Sequence, residues 1–143
     1  MRALLDVNVL LALLDTDHTD HLEAREWFVA NIDHGWASCA LTQNGFVRII
    51  SQPRYPSPVP PSVAIGLLAR ATDTLQHVFW PCDVSLLDRE AIEPTRLHGP
   101  SQVTDLYLLA LAARQGGRLV TFDRSIPLSA VPRAGEEHLV VLG

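Results

Sequence analysis

The sequence predicts an α/β fold, a single domain over residues 1–143 with a central, mainly parallel sheet flanked by helices. Three observations predict it. Short apolar runs suited to buried strands alternate with longer segments of helical period. Ten prolines and eight glycines cut the chain into elements of the length such a fold uses. The length of 143 residues lies within the usual range of one domain. Alternation of this kind favours a layered sheet with right-handed crossovers.

The first element is Arg2 to Leu5, an apolar run read as a buried strand that ends in Asp6 and passes into a helix through Leu14. The polar stretch from Asp15 to His21 follows, with His18 and His21 read as loop or first-turn residues. A helix comes next, with Leu22, Trp27, Phe28 and Ile32 sharing a broad apolar face and Gly35 marking its exit. Trp36 to Cys39 is a short strand. Thr42 is expected to cap the following helix, whose apolar side is Phe46, Val47, Ile49 and Ile50. Gly45 weakens that helix's first turns, and either close approach to a neighbour or tolerated irregularity accounts for it.

Gln52 to Pro61 carries five prolines and reads as a stiff surface connection. Ser62 is expected to cap a helix carrying Val63, Ile65, Leu67, Leu68 and Ala71, which ends between Thr74 and His77. Val78 to Trp80 and Val84 to Leu87 are strand candidates, and a short helix broken near Pro94 is expected within Asp88 to Leu97. The stripe Val103, Leu106, Leu109, Leu111 and Ala113 marks a helix buried against the sheet and stopped by Gly116-Gly117. Arg118 to Asp123 and Leu139 to Leu142 complete the strands, separated by a proline-containing loop from Ser125 to Gly135.

Composition narrows the function classes. The hydrophobic share of 48% with 19% charged residues excludes a disordered chain. A net charge of −5 gives no general affinity for nucleic acid, although a cation in a cleft would attract phosphate locally. Cys39 and Cys82 lack CxxC spacing and are expected to be buried free thiols. No signal-like segment opens the chain and no apolar run is long enough to span a bilayer, so a cytoplasmic protein without membrane contact is expected.

The chemistry resides in three aspartates. Asp6 and Asp123 stand at the ends of predicted strands, and Asp105 lies in the first turns of the helix before the Asp123 strand. The carboxyl edge of a parallel sheet can bring them to one crevice. Oxygen donors of this type suit Mg²⁺ or Mn²⁺. The residues alone leave the alternative open that each carboxylate caps a helix or sits in a solvated loop.

The words around these carboxylates resemble PIN-domain nucleases. Asp6-Val7-Asn8 is similar to that family's opening motif, and Thr104-Asp105 and Thr121-Phe122-Asp123 are similar to its later acidic motifs. Leu41 to Arg48 supplies the middle segment. In length and motif order the chain resembles the toxin of a VapBC toxin–antitoxin pair of mycobacterial type. The resemblance implies a Mg²⁺- or Mn²⁺-dependent endoribonuclease that hydrolyses RNA, such as tRNA or ribosomal RNA, and is neutralised by a cognate VapB-like antitoxin. It also implies a homodimer or a toxin–antitoxin hetero-oligomer. Asp6, Asp105 and Asp123 match the acidic positions, Asn8 a polar position that orders the site, and Thr121 a hydroxyl beside the last carboxylate.

Gly45 stands where the family has a glutamate. Three acids completed by water, a further acid from Asp83, Asp88 or Glu90, or a second ion that arrives with RNA phosphate are the alternatives. A catalytically silent PIN-like RNA- or protein-binding module is the competing reading of that departure. A phosphoacceptor receiver domain also clusters aspartates at strand ends, but the chain contains no lysine. Gln43, Asn44, Arg48, His98 and Arg124 are candidate RNA contacts, with Arg54 and Arg96 nearby; guanidinium groups suit phosphate.

Overall fold

The computed structural model describes residues 1–143. Its sheet comprises β1 (Ala3–Leu5), β2 (Trp36–Cys39), β3 (His77–Trp80), β4 (Arg118–Thr121) and β5 (Leu139–Val141), in the order β3-β2-β1-β4-β5. All four neighbouring pairs are parallel. The helices are α1 (Val7–Leu14), α2 (His21–Asn31), α3 (Ala40–Ile50), α4 (Pro61–Thr72) and α5 (Val103–Arg114). From β1 the chain builds outward through β2 to β3, then returns to the other side of β1 for β4 and β5. The strand order therefore reverses between β1 and β4, and such a switch point opens a crevice at the carboxyl ends of the strands.

Both faces of the three central strands, β2, β1 and β4, are buried, which is why they read as continuous apolar runs, whereas the edge strands β3 and β5 are partly exposed. Side chains alternate across it. Leu4 and Leu119 join Leu106, Leu108, Leu109, Leu111, Ile126 and Val131 on the α5 side. Ala3, Leu5 and Val120 join Val9, Leu10, Phe46, Ile50 and Leu68 on the side of α1, α3 and α4. The last turn of α5 is closed by Gly116, whose φ of +69° few other residues adopt readily.

Several expectations are corrected. Helix α3 begins at Ala40, so Thr42 lies inside its first turn; its hydroxyl accepts from the Cys39 N–H at 3.0 Å and completes the cap from within. Ser62 lies inside α4, because Pro61 occupies the first helical position, where a missing N–H costs nothing. On α2 only Ala24 is fully buried; Trp27 and Phe28 close part of the core, whereas Leu22 and Val29 are exposed. Val84 to Leu87 forms no strand: the chain leaves the sheet after Trp80, and these residues pair with no other strand. The helix expected within 88–97 is a single 3₁₀ turn, Pro94–Arg96. Cys39 is buried as expected, but Cys82 is exposed.

Candidate active site

Asp6 follows the last residue of the central strand and is the N-cap of α1. Its Oδ1 accepts the Val7 N–H at 2.7 Å and its Oδ2 accepts the Thr121 hydroxyl at 2.7 Å. That hydroxyl also accepts from Asn8 Nδ2 at 3.2 Å and from the Asp123 N–H at 3.0 Å. Asn8 Oδ1 accepts the Phe122 N–H at 3.2 Å. Asn8 and Thr121 thus lock the end of β4 to the first turn of α1, and both predicted supporting residues lie at the switch point. Thr121 is fully buried, so its hydroxyl must be satisfied inside the protein.

Asp105 enters from the first turn of α5. Burial, the charge of Asp6, and a hydrogen bond and charge from Asp123 push its carboxyl up to about 7. Asp123 moves the other way: the Ser125 hydroxyl and N–H, both on its Oδ1, hold it below the usual carboxylate range. Asp105 is therefore the carboxyl of the pair that gives up its proton last, and Asp123 the one that ionises first. Burial raises Asp6, partly offset by its bonds from Thr121 and Val7.

The three aspartates are brought together, yet no three acidic, histidine or cysteine side chains stand arranged around one point at coordinating distance. None of the three carboxyls has a basic partner, so burial and the charges of Asp6 and Asp123 act on Asp105 without compensation. The donor set still suits a hard divalent cation, which takes oxygen ligands and favours carboxylates drawn close.

The fourth acid is not found among the residues considered. Asp83 pairs with Arg114 at 3.2 Å and Glu90 with Arg133 at 2.6 Å, while Asp88 caps its own turn by accepting the Glu90 N–H at 3.0 Å. At Gly45 a side chain has no room: a Cβ would stand 2.6 Å from Val7 Cγ2. Close approach of α3 to α1 is thus the reason for this glycine.

Gln43, Asn44 and Arg48 line a groove of about 650 Å³ between α3 and α4, floored by Val47 and Leu68. Gln43 Nε2 donates to Ser38 Oγ at 3.0 Å. The exposed Arg124 guanidinium lies beside Gly143, and His98 is exposed in the turn before α5. None of these five side chains bonds to Asp6, Asp105 or Asp123. Ser125 was missed from sequence, although Asp-x-Ser is the spacing at which a carboxylate caps the backbone two residues on.

The PIN domain family model matches residues 3–133. Ribonuclease VapC44 of Mycobacterium tuberculosis is 66% identical over 142 residues, covering 99% of this chain and 100% of that protein. Ribonuclease VapC39 of the same organism is 44% identical over 131 residues, covering 91% and 94%. Among solved structures, VapBC2 from Rickettsia felis, bound to a DNA fragment from its promoter, aligns over the whole of both chains with a TM-score of 0.64 at 11% identity, a likeness of fold. The family match over most of the chain and these relatives together show that the chain belongs to the PIN-domain family and, within it, to the VapC group.

Proposed function

We propose that this protein is an endoribonuclease toxin that hydrolyses RNA phosphodiester bonds at the Asp6, Asp105 and Asp123 crevice, with Mg²⁺ or Mn²⁺ as cofactor and a cognate VapB-like antitoxin as its inhibitor. The single observation that carries the reading is the acidic crevice at the switch point, where the one Thr121 hydroxyl bonds both Asp6 and the Asp123 N–H and the first turn of α5 brings in Asp105. The names of the VapC relatives support RNA as substrate. A divalent ion, when bound, supplies a water of lowered pKa and neutralises charge on the phosphoryl oxygens.

The chain's own residues do the rest. Asp6, Asp105 and Asp123 hold the ion. Asn8 and Thr121 fix Asp6 and the end of β4, so that the ligands keep their spacing through turnover. Thr121 orients Asp6 and Asp123 through bonds of 2.7 and 3.0 Å. Arg48, His98 and Arg124 are exposed cations or potential cations that contact backbone phosphates, with Gln43 and Asn44 as polar contacts. The protein acts in the cytoplasm as a homodimer or as a toxin–antitoxin hetero-oligomer, on tRNA or ribosomal RNA.

Cleavage of total RNA, with ends mapped in Mg²⁺ or Mn²⁺, tests the proposal. Wild type is expected to leave a 5′-phosphate and a 3′-hydroxyl. Asp6→Asn, Asp105→Asn and Asp123→Asn should each lose more than about a hundredfold in rate, since direct ligands matter more than the outer partners whose loss costs 10–100-fold. A 2′,3′-cyclic phosphate would overturn the attack by water. Equal cleavage by all four proteins would overturn the site, and no cleavage by any would favour a silent binding module.

A further inference from the structure

Two residues outside the acidic set tie its members together. Ser125 gives both its N–H, at 2.8 Å, and its hydroxyl, at 2.7 Å, to Oδ1 of Asp123. The carbonyl of the same Ser125 accepts from Gln102 Nε2 at 3.2 Å. Gln102 Oε1 accepts the His98 N–H at 3.0 Å, which holds the turn that leads into α5. Gln102 ends the 3₁₀ turn Pro100–Gln102, immediately before the helix that carries Asp105. A continuous set of bonds therefore runs from the turn before Asp105, through Gln102 and Ser125, to one oxygen of Asp123.

This set makes the two oxygens of Asp123 unequal. Oδ1 is engaged twice, and Oδ2 keeps its lone pairs for another partner. Both bridging residues lie near the surface, where hydrogen bonds compete with water and contribute little to stability. Their effect falls on geometry: one fixes the rotamer of Asp123, and the other fixes the Asp123 loop against the start of α5. Partners of this sort commonly orient a ligating carboxylate.

We propose that Ser125 and Gln102 are positioning residues that set the gap between Asp123 and Asp105, and with it the affinity of the crevice for a divalent ion. The inference rests on the divalent-ion reading above. Mn²⁺ titration followed by electron paramagnetic resonance, alongside thermal melting, tests it on wild type, Ser125→Ala, Ser125→Thr, Gln102→Glu and Asp123→Asn.

Ser125→Ala is expected to bind Mn²⁺ about tenfold more weakly at an unchanged melting temperature. Ser125→Thr, which keeps the hydroxyl and the N–H, should bind as wild type does. Gln102→Glu keeps the acceptor for His98 but loses the donor to Ser125, and should also weaken binding. Wild-type affinity in both Ser125→Ala and Gln102→Glu overturns the positioning role while leaving the ion reading intact. If wild type binds Mn²⁺ no better than Asp123→Asn, the ion reading fails and takes this inference with it.

Discussion

At Asp105 a carboxyl that shares a proton with its neighbour makes stability depend on pH. Its folded value is about 7 against an ordinary 3.8. A carboxyl raised in this way is neutral in both states below about pH 4, and stability falls as pH rises from there to about 7 and levels off above it. Because the group is partly solvated, the screened penalty is on the order of 1–2 kcal/mol. In the absence of added metal, Asp105→Asn should therefore be more stable than wild type at pH 8 by about that amount, with the gap closing toward pH 4; denaturant melts at the two pH values check it. The amide keeps the volume of the carboxyl and removes its charge. At this scale the sequence was informative about which element carries each residue: Asp6 directly follows β1, Thr121 ends β4 with Asp123 just beyond it, and Asn8 and Asp105 lie in the first turns of α1 and α5. Ser125 and Gln102 were hidden because their bonds join two loops whose approach no local pattern encodes.

Gly45 belongs to the scale of elements, because its reason lies in another helix. A Cβ there meets Val7 at 2.6 Å, on the residue next to Asp6. Gly45→Ala should destabilise the protein by about 1–3 kcal/mol despite the better helix propensity of alanine. Val7→Ala in the same chain should recover much of that loss, a coupling that a double-mutant cycle in urea measures. Gly45→Glu is accordingly unsuited to restoring a fourth ligand, since it would displace α1 before it reached any ion. Element types were legible for long periodic segments such as α5 and for the strands buried on both faces. Val84 to Leu87 shows why the rest were not: strand propensity is local, but whether a segment docks on a sheet is decided by tertiary packing. Leu22 shows the converse, an apolar residue in helical period that no neighbouring element covers.

Across the whole molecule, the two layers of helices over one sheet divide the cysteines by accessibility. Cys39 ends a strand inside the core and burial pushes its thiol up, whereas Cys82 lies on the surface beyond β3. Iodoacetamide should label one thiol promptly in the native protein and the second only at the rate of unfolding, with mass spectrometry assigning Cys82 to the first and Cys39 to the second. Rapid labelling of both would contradict the placement of β2. The same architecture separates partners widely along the chain: the hydroxyl bonded to Asp6 comes from a residue 115 positions later. During synthesis at about 5–20 residues per second, a growing chain has its first aspartate within seconds but lacks the strand that completes the crevice until 115 further residues have been added. A crevice built this way stays open and unassembled in every nascent chain too short to include β4, however early its first aspartate emerges.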